Sequence, residues 1–89
     1  MTRENLQTAE DLDDLIIREK MQVALEYQND AWADGVAEGI EPEILADAAI
    51  ATAMRETVRL LGEDKAEELI LAMRDRVLAG EFSPERRLQ

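Results

Sequence analysis

Apolar residues recur at helical spacing along almost the whole chain, and glycine and proline divide them into three segments. In the first, Leu12, Leu15, Ile16, Ile17, Met21, Val23, Ala24, Leu25, Tyr27 and Ala31 follow a period near 3.6 rather than 2. Thr8 is a suitable N-cap. Glu10, Asp11, Asp13 and Asp14 then put negative charge at the positive end of the helix dipole. The pattern predicts a helix over 8–34, ending between Trp32 and Gly35. At roughly 25 residues it is about 37 Å long, which is long for so short a chain.

The segment Asp34-Gly-Val-Ala-Glu-Gly-Ile-Glu-Pro is the main connection. Gly35 and Gly39 suit positive φ, and Pro42 suits the first position of a new helix. A second helix is predicted over 42–61, with Gly62 as its left-handed terminator. Ile44, Ala46, Ala49, Ile50, Ala53, Met54, Thr57, Val58, Leu60 and Leu61 fall on one broad side of it. Arg55, Glu56 and Arg59 fall opposite. A third helix is predicted over 64–79. Asp64 and Glu67 form an acidic capping box, Ala66, Leu69, Ile70, Met73 and Val77 form the apolar stripe, and Gly80 closes it. Phe82 is placed to fold back on the last turn, and Ser83-Pro84 stops continuation. The fold class is therefore all-α: one long N-terminal helix plus a helical hairpin. It forms a single domain over 8–80 between flexible segments 1–7 and 81–89.

The first helix carries more apolar surface than one stripe needs. Leu12, Ile16, Val23 and Tyr27 lie together. Ile17, Met21, Ala24, Leu25 and Trp32 lie on a second face, a third to a half turn away. Leu71 and Leu78 likewise lie off the main stripe of the third helix. Two shorter helices cannot easily cover all of this, and a core of this size is thin. The expectation is a homodimer, with a two-fold arrangement the commonest form. Ile17, Met21, Leu25, Trp32, Leu71 and Leu78 are the candidate interaction residues, facing a second copy or another protein. Trp32 is the best single anchor, since Trp is enriched at binding hot spots.

Composition narrows the chemistry. The 89 residues include no Cys and no His. That removes disulfides, thiolate nucleophiles, the commonest general base and the commonest transition-metal ligands. Aromatic residues make up only 3%, so the core must rest on Leu, Ile, Val, Met and Ala. Thr2, Thr8, Thr52, Thr57 and Ser83 have no His partner, and Thr52 and Thr57 read as surface or back-bonded helix residues. Glu26, Asp30, Asp34 and Glu38 recur every four residues. Helical di-metal sites use such carboxylates with His, which is absent, so a solvated acidic face is the expected role. Unbalanced acids four apart also repel, which is a reason for the helix to end near Asp34. Asp11-Leu-Asp-Asp opens like a calcium loop but has Ile16 where the loop needs Gly. Neither phosphate-binding glycine pattern occurs. No catalytic residue, cofactor or metal site is expected.

Charge is uneven. The net charge is −11, and residues 1–47 hold 13 acidic against 3 basic residues, a net −10. Such a surface disfavours nucleic acid and anionic lipid. The arginines of the second half are interleaved with Glu56, Glu67, Asp75 and Glu85, which predicts intrahelical pairs rather than a DNA-binding face. The N-terminal sequence lacks a signal-peptide pattern, and no run reaches the roughly 18 apolar residues of a membrane span. The expected location is the cytoplasm. The expected function is a non-enzymatic helical interaction or regulatory protein. Two alternatives stand beside it: an acidic mimic occupying the basic groove of a nucleic-acid-handling protein, and a carboxylate-only divalent-metal binder.

Overall fold

The computed structural model describes residues 2–87, with side chains over 10–85. The described residues are helical, without strands. The elements are α1 (Thr2–Ala37), α2 (Pro42–Leu61), α3 (Glu63–Leu78) and a single turn, α4 (Pro84–Arg87). The chain divides into two units, Met1–Leu45 and Ala46–Gln89. The first holds α1 and the opening turn of α2. The second holds the rest of α2, then α3 and α4.

α1 is longer than its apolar pattern suggests. Its backbone is helical from Thr2, so the predicted start at Thr8 is six residues late; the Thr8 side chain lies outside the described residues. The stretch 3–7 holds no glycine or proline to stop a helix. The other end also runs on. The sequence pattern puts Gly35 in the connection with positive φ, but the positive-φ glycines are Gly39, Gly62 and Gly80, and Gly35 lies inside the helix. The carboxylate repulsion near Asp34 costs only a few tenths of a kcal/mol. A stronger terminator lies further on. Gly39 N–H donates to the Val36 carbonyl at 2.9 Å and Ile40 N–H to the Gly35 carbonyl at 3.1 Å. These are the paired bonds of a Schellman motif, with Gly39 at φ +82° in its left-handed position.

Gly35 has a packing role instead. A Cβ built there would stand 2.4 Å from Leu45 Cδ2, so the missing side chain lets α2's first turn approach the α1 backbone. Gly35 and Leu45 are both half-buried.

In the second unit, Gly62 N–H donates to the Val58 carbonyl at 3.0 Å, closing α2 as predicted. The same residue is the N-cap of α3, at φ +96° and ψ +166° with no side-chain cap. The predicted Asp64–Glu67 capping box is therefore displaced. α3 opens at Glu63, which puts Asp64 within the first turn, where its charge still favours the helix dipole. α3 ends in a second Schellman motif: Gly80 N–H donates to the Val77 carbonyl at 3.0 Å and Glu81 N–H to the Arg76 carbonyl at 3.1 Å. Pro84 stops α3's line but starts α4, a role its fixed φ permits. Leu88 and Gln89 of the expected tail lie outside the described residues.

Little side-chain surface is buried. Among the described residues only Ala66 and Gly80 are buried. Every large apolar side chain from Leu12 to Phe82 is exposed except Leu45 and Met54, which are half-buried.

Candidate functional site

The candidate residues occupy α1 in the first unit and α3 in the second. In the first unit, Ile17, Met21, Leu25 and Trp32 share one face of α1, and all four are exposed. Among the described residues Trp32 is the most covered of the large apolar α1 side chains, at 41% exposure, and Gly35, with Leu45 against it, lies one turn beyond. This face is thus met by its own chain at the C-terminal end and is open before it.

The second α1 face holds Leu12, Ile16, Val23 and Tyr27 within about 60° of arc. All are exposed, Tyr27 the most at 72%. Ile16, Glu19, Lys20, Val23, Ala24 and Tyr27 line a shallow, open depression along it. Glu19 and Lys20 form no ion pair with another described residue. Helical spacing alone collects these four apolar residues, but their exposure had to come from the structure.

In the second unit, Ala66 is buried within the α3 stripe of Leu69, Ile70, Met73 and Val77. Leu71 and Leu78 lie about 120–140° around the helix from Ala66 and are exposed. α3 is fastened at its C-terminus by a local cluster. Arg76 Nε donates to Glu81 Oε1 and Oε2, each at 2.9 Å, and Arg76 Nη2 pairs with Glu81 Oε2. The guanidinium also lies 5.1 Å from the centre of the Phe82 ring, a cation–π distance. Phe82 folds back as the sequence predicted. The hydrogen bond from Arg76 is the main cause that holds the Glu81 carboxyl below the ordinary glutamate range, opposed by partial desolvation. The same bond raises the Arg76 guanidinium.

The remaining polar groups make short-range contacts. Arg59 pairs with Glu56 at 2.6 Å and Lys65 with Glu68 at 3.3 Å, both at i,i+3 spacing. Thr57 Oγ1 donates to the Ala53 carbonyl at 2.7 Å, the predicted back-bond. Glu26, Asp30 and Asp34 all lie within α1, and Glu38 follows its end. Among the described residues no three acidic side chains gather into a group that could hold a metal ion. Among them, too, no helix is long and apolar enough to cross a membrane. No protein-family model, curated protein or solved structure matches the chain.

Proposed function

We propose that this chain is a non-enzymatic assembly module of the cytoplasm, which forms a homodimer and docks a protein partner through apolar helix faces. One observation carries the reading: the large apolar side chains of α1 and α3 remain exposed in the single chain. Scattered exposed apolar residues are ordinary. Two apolar faces on one helix are not, because contiguous patches of this kind mark interaction surfaces. Ile17, Met21, Leu25 and Trp32 on α1, with Leu71 and Leu78 on α3, are the candidate contacts. The absence of Cys and His from the sequence supports a role in binding rather than catalysis.

Sedimentation velocity on the full chain tests this directly. The expected result is a species of twice the 10.0 kDa chain mass at micromolar concentration. A monomer persisting at tens of micromolar would overturn the reading.

A further inference from the structure

We propose that the α1 face of Leu12, Ile16, Val23 and Tyr27 docks a basic, amphipathic helix of a partner protein. The proposal rests on the partner-docking part of the reading above. It gives that partner a charge, and a face that the candidate contacts did not include.

The acids of α1 are sorted by face. From Leu15 to Asp34 the helix holds four, Glu19, Glu26, Asp30 and Asp34. All four fall within about 80° of arc. Glu19 and Glu26 edge the face of Leu12 to Tyr27, and Asp30 and Asp34 continue its line beyond Tyr27. Each is exposed, and none forms an ion pair with another described residue. Lys20, on the opposite edge, is the one basic residue of this stretch beside the face. The face of Ile17, Met21, Leu25 and Trp32 differs. The same four acids lie about 140° around the helix from its centre, and Arg18, Gln28 and Asn29 stand on or beside it instead.

This combination selects the occupant. A shallow, open, apolar depression running along a helix suits the apolar stripe of another helix. Uncompensated carboxylates at its edge and end attract lysine or arginine side chains that flank such a stripe. A second copy would bring the same acids with only Lys20 to answer them, so charge disfavours it on this face. Nucleic acid and anionic lipid are repelled. A bare metal ion finds no group of three acids among the described residues to hold it. A basic amphipathic helix satisfies the apolar positions and the charge together.

The sequence has one Tyr and one Trp. Tyr27 and Trp32 sit about 140° apart on α1, so each reports on one face. The probe is a synthetic helical peptide of about 22 residues, with leucine at i, i+3, i+4 and i+7 spacing and lysine between. A scrambled peptide of the same composition and a version with glutamate in place of lysine are the controls. The full chain, isotopically labelled, is titrated with each and followed by NMR. The expected result is binding of the amphipathic lysine peptide alone, with the Tyr27 ring signals shifting and the Trp32 indole unmoved. Its dissociation constant is expected to rise about tenfold between roughly 0.05 and 0.5 M salt. No binding, binding indifferent to salt, or a shift at Trp32 alone would each overturn the proposal. So would equal binding of the scrambled peptide, which would show only a general attraction to acidic surface. Replacing Glu26→Gln together with Asp30→Asn is expected to weaken binding about fivefold. Lys20→Gln is expected to tighten it about twofold, a gain that a misfolded chain would not give, and weakening by Lys20→Gln would contradict the charge assignment. Sedimentation tests self-assembly separately. A dimer indifferent to the peptide would overturn this proposal alone, and a monomer that binds it at Tyr27 would overturn only the homodimer.

Discussion

Three glycines and one ion pair fix the helix ends. At Gly39 and Gly62 an added Cβ would have no atom within 4 Å, so a side chain there meets no steric obstacle. Their φ values of +82° and +96° still disfavour any L-residue with a side chain. Gly39→Ala is therefore expected to cost about 1–2 kcal/mol. Gly62→Ala is expected to cost about 1–3 kcal/mol, because ψ near 166° places it in a region almost reserved for glycine. Urea denaturation followed by circular dichroism measures both. A neutral result at Gly62 would mean that the α2–α3 junction does not hold this backbone geometry. At the end of α3, Glu81 has a depressed folded pKa, so its pairing with Arg76 stabilises fully above the ordinary glutamate range. That contribution fades as pH falls through the ordinary value and then through the depressed one. A carbon-detected NMR titration is expected to place the Glu81 midpoint below the ordinary glutamate value. Arg76→Ala is expected to return it upward, and an unmoved midpoint would refute the pairing.

At the scale of elements, the apolar period is sufficient to identify all three helices. Pro42 and Gly62 set their boundaries to within a residue, because each imposes a backbone geometry that few alternatives share. The ends of α1 are less legible. Gly35 and Gly39 are equally permissive as sequence, and only the contact with Leu45 shows that the first serves close packing and the second serves termination. The Asp64–Glu67 box fails for a related reason: Gly62 takes the N-cap position first. The full extent of α1 has an electrostatic consequence. Its last turn holds Asp34 and no basic residue, and Asp30 lies one turn before it. Acids at a helix C-terminus oppose the dipole. Asp34→Lys is expected to stabilise the chain by about 0.5–1 kcal/mol, through the dipole and a new pair between Asp30 and the introduced lysine. Thermal melting at low ionic strength shows it, and the gain should shrink as salt is added.

At the scale of the molecule, the excess of apolar faces is readable from the sequence, since Leu12–Tyr27 and Ile17–Trp32 cannot share one stripe. That the C-terminal end of one face is met by the same chain is not, because that depends on where Leu45 lands. A dimer built from this chain joins two bodies of net charge −11. Apolar contact must then overcome charge repulsion, and the two respond to conditions in opposite ways. Raising salt from about 0.05 to 0.5 M shortens the screening length from roughly 14 to 4 Å, below the width of a helix. The dimer dissociation constant is therefore expected to fall several-fold over that range. Binding to a basic groove, the acidic-mimic alternative, would weaken steeply instead. Because dimerisation stabilises the fold by mass action, a tenfold rise in protein concentration adds about 1.4 kcal/mol per dimer. For a folding unit of two 89-residue chains that is a rise in melting temperature of about 3–5 °C. Scanning calorimetry at two concentrations and two salt strengths separates the effects: the midpoint should rise with each variable, and independence from concentration would show that the apolar faces do not bring two copies together.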